Sequence, residues 1–141
     1  MTPSHISADL RRQVTEDAGH RCGYCLTDEA LSGIPLTLDH LVPVAAGGPT
    51  ARDNLWLACR PCNEFKATQT QAIDPLSGET APLFNSRTQD WHTHFAWSAD
   101  QAEIIGLTPI GRTTVTTLQL NRPMLVSARR RWLLAGWQPS G

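Results

Sequence analysis

The stretch that decides the fold of this 141-residue chain spans residues 36–66 and reads LTLDHLVPVAAGGPTARDNLWLACRPCNEFK. Residues 36–42 alternate as a strand does, and residues 55–58 form a second short apolar run of the same kind. A loop rich in Gly, Pro and Ala separates the two runs, and from Pro61 no helix breaker occurs until Pro75. The stretch therefore predicts the order strand, loop, strand, helix.

Four cysteines form two C-x-x-C pairs separated by 33 residues, Cys22 with Cys25 before this stretch and Cys59 with Cys62 within it. No secretory signal is visible at the N-terminus, so we expect a cytoplasmic protein, and reducing compartments keep thiols free. Two such pairs supply the four thiolates of a tetrahedral Zn²⁺ site. The spacing predicts structural zinc, with a redox pair or two disulfides as the alternatives.

The remaining pattern predicts an α+β chain with one domain. Ser7 is a helix N-cap for residues 8–18, with Gly19 as the stop signal. Residues 74–90 are turn-rich and are expected to wrap the surface. Large rings at positions 91, 95 and 97, followed by apolar residues 104–107, predict a hairpin. Two helices are expected after it, over 113–120 and from Pro123 to Gly136.

These elements divide into a core of residues 1–74 and an extension of residues 75–141, which we expect to pack on the core rather than form a second unit. No apolar run approaches the roughly 18 residues that span a bilayer, so no membrane partner is expected. Four tryptophans are interpreted as packing residues rather than base-stacking platforms, and His92 and His94 as the polar face of the expected strand. These tryptophans are Trp91, Trp97, Trp132 and Trp137.

Charge is distributed unevenly along the chain. Residues 1–103 contain seven Lys or Arg and all thirteen Asp or Glu, whereas residues 104–141 contain five Arg and no acid. A basic segment on an acidic body is a plausible phosphate contact, and an arginine-rich solvated helix face is the alternative.

Asp39 and His40 bring acid/base chemistry into the quoted stretch. A neutral imidazole is the natural base near neutral pH, and a hard divalent cation on oxygen ligands can neutralise phosphate charge. Neighbouring strand residues point to opposite faces, so both side chains serve one site only if the backbone turns there. Asn63, directly after the second cysteine pair, offers a further oxygen, and Lys66 lies on the same helix face.

This order of C-x-x-C, Asp-His, Asn and C-x-x-C-N-x-x-K resembles the zinc-knuckle branch of the HNH endonuclease family, over residues 20–67. The resemblance implies a ββα-metal (His-Me finger) core that cuts DNA with one catalytic divalent cation. On this mapping His40 is the general base, and Asp39 and Asn63 bind Mg²⁺ or Mn²⁺. Asn54 ties down the loop and helps to orient His40. The four cysteines hold a separate structural zinc.

The last residue of the His-Asn-His pattern that gives the HNH family its name is Asn63 in this chain. The softer nitrogen ligand is lost, so we do not expect Zn²⁺ or Ni²⁺ to support catalysis in that site. Asp39 as a partner of His40, and Asn63 as a helix cap, remain alternatives to metal binding. For DNA contacts, with double-stranded DNA as the expected partner, we name Arg60, Lys66, Arg129 and Arg130. The oligomeric state is not predicted.

The sequence thus favours a metal-dependent DNA endonuclease that hydrolyses phosphodiester bonds. The rival interpretation is a non-catalytic zinc module that binds DNA or protein. A scaffold needs the cysteines but has no use for Asp39, His40 and Asn63 together.

Overall fold

The computed structural model describes residues 6–139, and it confirms a mixed α and β fold. Its elements, in chain order, are α1 Ala8–Asp17, α2 Glu29–Ser32, β1 Thr37–His40, β2 Leu55–Ala58, α3 Arg60–Lys66, β3 Gln71–Ile73, β4 Thr80–Pro82, α4 Trp91–His94, β5 Phe95–Trp97, β6 Ile104–Gly106, α5 Pro109–Thr117 and α6 Pro123–Leu134. The strands form three antiparallel pairs, β1 with β2, β3 with β4, and β5 with β6.

The quoted stretch folds in the predicted order. In the β1–β2 pair, Asp39 lies opposite Trp56 and His40 lies opposite Leu55. The inward residues of β2, Leu55 and Leu57, are buried, as expected for a strand with one face on the core. Helix α3 follows β2 directly and packs against β1, so the end of β2 and the start of the helix lie at the beginning of β1.

Helix α3 is shorter than predicted. It ends at Lys66, and Ala67 follows with a positive φ of 51°. The side-chain amide of Gln69 donates to the carbonyl oxygens of Phe65 and Lys66, which satisfies the end of the helix. Absence of a breaker was therefore a poor guide to length, because local hydrogen bonds stop the helix nine residues before Pro75.

Helix α1 matches its prediction. The Ser7 hydroxyl accepts a hydrogen bond from the Leu10 amide, which caps the first turn. Gly19 follows the helix with a φ of 63°, a left-handed conformation that glycine adopts without steric cost. Val14 is fully buried and anchors the helix, which packs against β2.

Residues 74–90 do more than wrap the surface. They contain β4, and Ala81, Leu83 and Phe84 are buried. Asp74 is also buried, and its carboxylate accepts two hydrogen bonds from the Arg112 guanidinium. These hydrogen bonds hold the pKa of Asp74 below its usual value. This ion pair ties the β3–β4 turn to α5.

The predicted hairpin exists, but its first half is misplaced. Residues 91–94 form the helical turn α4, and only Phe95–Trp97 pair with β6. Helix α5 begins at Pro109, earlier than expected, because Thr108 caps it by accepting from the Gly111 amide. Helix α6 begins at Pro123 as predicted.

One hydrophobic cluster contains side chains from both the predicted core and the predicted extension. It includes Cys22 and Leu57 together with Phe84, Phe95 and Leu118. The boundary at 74/75 falls in the turn between β3 and β4, and the division into core and extension stays a prediction. Within residues 6–139, no helix has the length and apolarity to cross a membrane.

The four tryptophans interpreted as packing residues each lie against another ring. Trp91 stacks on Phe95 at 5.0 Å between ring centroids, and Trp97 and Trp132 each meet Trp137 edge-to-face. Such arrangements add stability beyond area burial. The rings therefore hold α4, β5 and α6 together.

Gly111 marks the closest approach of α5 to α4. A Cβ atom at this position would lie 1.9 Å from the carbonyl oxygen of His94, and that oxygen already accepts from the Leu107 amide. We expect Gly111→Ala to lower the free energy of unfolding by about 1–3 kcal/mol, because backbone must move to admit the methyl group. Chemical denaturation measures this, with exposed Thr116→Ala on the same helix as control. Equal stability of both variants would contradict the assigned packing.

Candidate active site and metal centre

His40, the last residue of β1, lies half-buried beside the loop that joins the strands. Its Nε2 is 2.9 Å from the Thr50 hydroxyl, whereas Nδ1 has no hydrogen-bond partner among residues 6–139. When the hydroxyl accepts, the proton sits on Nε2 and the lone pair on Nδ1 is free to take a proton. Thr50 thus fixes the orientation of the imidazole, and the role of His40 as general base stays a prediction.

Asn54 closes the loop between β1 and β2. Its Oδ1 accepts from the Val42 amide at 2.9 Å, and its Nδ2 donates to the carbonyls of Val42 and Pro49. Gly48 passes so close that a Cβ there would lie 1.8 Å from the Val42 oxygen. The loop-tying hydrogen bonds expected of Asn54 are therefore present, and its contribution to catalysis stays a prediction.

Asp39 is buried, and both of its oxygens have partners. Lys66 Nζ lies 2.9 Å from Oδ1 and also donates to the His40 carbonyl, whereas the Tyr24 hydroxyl donates to Oδ2 at 2.6 Å. Burial raises the pKa of Tyr24 well above its usual value, and the Asp39 charge adds to this effect. Tyr24 therefore stays protonated and remains a donor to Asp39.

Lys66 is the only lysine and Tyr24 the only tyrosine of the chain. Lys66 was expected to reach a phosphate, but its side chain is only 3% exposed and its ammonium is paired with Asp39. That placement does not support a direct phosphate contact in this conformation. Breaking such a buried pair by removing one partner costs about 3–5 kcal/mol, because the other charge is left uncompensated.

Asn63 lies in the first turn of α3. Its Nδ2 donates to the Thr37 hydroxyl and to the Leu38 carbonyl, at 3.0 and 3.2 Å. No hydrogen bond to its Oδ1 occurs within the described part of the chain, so this oxygen is available to a ligand. Asn63 does not cap α3 through its side chain, since the N-cap residue is Cys59. Asn63 thus lies beside β1, the strand that contains Asp39. Metal binding by these two residues stays a prediction.

The four cysteine sulfurs converge. One ligand atom from each of Cys22, Cys25, Cys59 and Cys62 lies within 4.8 Å of the others, and all four thiols are free. The Cys25 and Cys59 sulfurs are 3.6 Å apart. A tetrahedral Zn²⁺ with bonds of about 2.3 Å places its sulfurs about 3.8 Å apart, whereas a disulfide needs about 2 Å. The four residues therefore fit a structural zinc.

The electrostatics of the four thiols also favour a cation. Burial raises the pKa of Cys22, whereas hydrogen bonds to the other thiols, that with Cys22 foremost, lower the pKa of Cys25. Deprotonating all four in one buried place requires compensating positive charge. A divalent ion supplies this charge and holds every thiol as thiolate.

The arginines named for DNA contact divide into exposed and buried. Arg60 is exposed and pairs with Glu64 one turn later on α3, and Arg130 is exposed at 3.6 Å from Asp100. Arg129 is only 1% exposed and donates to the Ala102 carbonyl. Its predicted contact with DNA is therefore not supported, because the guanidinium faces the protein interior.

Sequence reasoning missed several residues that position the site. Tyr24 and Thr50 hold Asp39 and His40, and Arg122 of the extension donates to the sulfurs of Cys59 and Cys62. A single tyrosine inside a cysteine pair was the available signal for Tyr24. Nothing in the local sequence distinguishes Thr50 or Arg122, because their partners are distant along the chain.

A cleft of about 250 Å³ lies beside this site. Val42 and Lys66 line one side, and Leu83, Asn85 and Gln89, from the segment after β4, line the other. The segment that follows the predicted core thus contributes to the surroundings of the site.

Comparison with known families bears on the same segment. Residues 22–69 match the family model described as HNH endonuclease, which confirms the family resemblance over both cysteine pairs, β1, β2 and α3. No curated protein and no solved structure matches the chain significantly. The HNH domain indicates a function in nucleic-acid cleavage or binding.

We expect the purified protein to contain one zinc ion per chain. Removing it with a strong chelator under reducing conditions should abolish the cooperative unfolding transition, because binding free energy of a structural zinc is folding free energy. Native mass spectrometry counts the metal, and near-ultraviolet circular dichroism follows the packed tryptophans. A metal-free chain with oxidised cysteines and unchanged packing would contradict the zinc assignment and support the disulfide alternative.

Proposed function

We propose that this HNH-domain protein is a metal-dependent DNA endonuclease in which His40 activates water for hydrolysis of a phosphodiester bond. The observation that carries the proposal is the placement of His40. Its ring is held through Nε2 by Thr50, with Nδ1 free, beside a loop locked by Asn54. A purely structural histidine has no need for a free nitrogen oriented in this way.

The proposed reaction is a displacement at phosphorus. Water attacks the phosphorus while His40 Nδ1 takes its proton, and the bond from phosphorus to the 3′ oxygen breaks. The products are a 5′-phosphate and, after protonation of the leaving oxygen, a 3′-hydroxyl. Asn54 keeps the loop, and with it Thr50 and His40, in a fixed orientation during the reaction.

The proposed site for Mg²⁺ or Mn²⁺ consists of Asp39 and Asn63. Carboxylate and amide oxygens are the hard ligands that these ions prefer, and Asn63 Oδ1 is free. Such an ion supplies neutralisation of phosphate charge and stabilises the leaving oxygen. These two oxygen ligands are of the type that Mg²⁺ and Mn²⁺ prefer. Asp39 would have to give up its contact with Lys66 or Tyr24 to bind the ion.

Lys66 therefore has a defined role in the proposal. Its ammonium forms an ion pair with Asp39 Oδ1. This pair stabilises the carboxylate while no divalent ion is bound. A divalent ion held at Asp39 Oδ1 would replace the ammonium there, so Lys66 and the ion would compete for that oxygen.

The DNA contacts proposed for the exposed arginines are those of Arg60 and Arg130. Both guanidinium groups are largely exposed, with side-chain exposures of 80% and 61%. Their carboxylate partners are exposed as well, and surface pairs of this kind are weak enough to be exchanged for phosphate. Double-stranded DNA remains the proposed partner.

The decisive experiment is cleavage of supercoiled plasmid by the zinc-loaded protein in Mg²⁺ or Mn²⁺. We expect nicked or linear products from the wild type and a loss of about 10²–10⁴-fold in rate for His40→Ala, the typical contribution of general acid–base catalysis. His92→Ala is the matched control, since His92 is exposed on α4 and should leave the rate unchanged.

Chelation separates the two metals in the same assay. EDTA at a concentration that leaves zinc bound should stop cleavage, and added Mg²⁺ should restore it. If zinc-loaded wild type and His40→Ala are equally inert on plasmid and on single-stranded DNA, the result favours the rival interpretation, a non-catalytic zinc module that binds DNA or protein. In that case the buried Asp39–Lys66 pair is simply part of a scaffold.

We expect Lys66→Met to bind Mn²⁺ more tightly than the wild type, because the competing ammonium is gone from Asp39. Without Mn²⁺ the variant should melt at a lower temperature, since a buried carboxylate is left unpaired. Mn²⁺ should then raise the melting temperature more in the variant than in the wild type. Thermal unfolding of zinc-loaded protein with and without Mn²⁺ measures both effects.

The double variant Lys66→Met, Asp39→Asn is the matched control. It removes the unpaired charge, so the additional response to Mn²⁺ should disappear. Equal responses to Mn²⁺ in wild type and Lys66→Met would show that Lys66 and the ion do not share Asp39.

A further inference from the structure

Three of the five arginines in residues 104–141 point into the protein. Arg112 pairs with Asp74, Arg129 is buried, and Arg122, the residue before α6, is half-buried against the second cysteine pair. The basic character of the C-terminal segment is thus largely used inside the molecule. The partners of Arg122 and Arg129 require an explanation, because neither makes an ion pair with a carboxylate among residues 6–139.

Arg122 contacts the cysteine cluster directly. Its Nη1 lies 3.6 Å from Cys62 Sγ and its Nη2 lies 3.6 Å from Cys59 Sγ, so both arms of the guanidinium reach the same C-x-x-C pair. The group is fixed by the Leu118 and Gln119 carbonyls and lies over the Phe65 ring. A two-armed approach to two sulfurs matches donors to thiolates rather than to neutral thiols.

Arg129 is a second buried guanidinium without a carboxylate partner. Among residues 6–139 its acceptors are neutral, the Ala102 carbonyl and the Asn121 side chain, and its Nη2 has no partner. It lies against the Trp97 ring at 5.3 Å and makes no hydrogen bond to a cysteine sulfur within these residues, so Arg122 is the arginine that the structure places at the cysteine cluster.

Zinc binding creates the charge that Arg122 faces. Zn²⁺ with four thiolates carries two net negative charges in a buried place. Arg122 brings a positive charge into direct contact with two of the four sulfurs.

We propose that Arg122, the residue before α6, is a counter-charge of the zinc tetrathiolate, so that zinc binding and the docking of α6 stabilise each other. The coupling is reciprocal by thermodynamic linkage. Whatever factor Arg122 contributes to zinc affinity, zinc contributes to the packing of α6 on the cysteine site. This inference is independent of nuclease activity.

The first test measures zinc transfer from the full-length, zinc-loaded protein to a chromophoric chelator. We expect Arg122→Met to release zinc at least about tenfold faster than the wild type, the usual size of an effect from a residue that supports metal ligands. Arg122→Lys, which keeps the charge, should show a smaller effect. Exposed Arg131→Met is the matched control and should behave as the wild type.

The second test uses cobalt in place of zinc, because its sulfur-to-metal absorption bands report on the thiolates themselves. Loss of the guanidinium raises the energy of the sulfur lone pairs, so the bands of Arg122→Met should shift to longer wavelength. A residue that only fills space would leave the bands in place. Zinc release at the Arg131→Met rate together with unshifted bands would overturn the proposal.

Discussion

The convergence of four sulfur atoms is the constraint on which the rest of the structure depends. The sulfurs of two C-x-x-C pairs, 33 residues apart in the chain, lie within 4.8 Å of one another. The first pair precedes β1, and the second connects β2 to α3. Holding the pairs together therefore sets the position of α3 relative to β1. Asp39, His40 and Asn63 take their places from this arrangement.

The buried polar network around Asp39 is the second constraint, and it depends on the first. Tyr24 lies between the cysteines of the first pair and reaches one carboxylate oxygen, whereas Lys66, at the end of α3, reaches the other. Both donors are delivered by elements that the cysteine site positions. In a low-dielectric interior such a network is stable only when every member is satisfied. The network thus links the integrity of the zinc site to the geometry of the proposed catalytic residues.

The C-terminal segment joins the same system through charge as well as through packing. Its aromatic rings bury apolar area, but Arg122 meets the sulfurs and Arg129 lies buried without a carboxylate. A guanidinium group in contact with two cysteine sulfurs is explained when the sulfurs are thiolates around a dication. Three of the five arginines in this basic segment make their contacts inside the protein, which leaves Arg60 and Arg130 as the exposed candidates for phosphate.

The sequence by itself determined the features that arise from local spacing. The two C-x-x-C pairs predicted the four-sulfur cluster, Ser7 and Gly19 bounded α1, and the apolar run of residues 55–58 is β2 with unchanged ends. These signals depend on residues within one turn or one strand of each other. The Asn54 amide also makes the loop-tying hydrogen bonds that the family resemblance implied.

Tertiary structure alone decided what depends on distant partners. Residues 91–94 form a helical turn before β5, where the Trp91 indole donates to the distant Tyr24 carbonyl, although the ring spacing suggested a strand. Lys66 and Arg129 looked like surface cations, but one is paired with Asp39 and the other is enclosed. A charged side chain carries no local mark of the group that will neutralise it. Only the folded chain brings Asp39 and the cysteine sulfurs to the cations that they need.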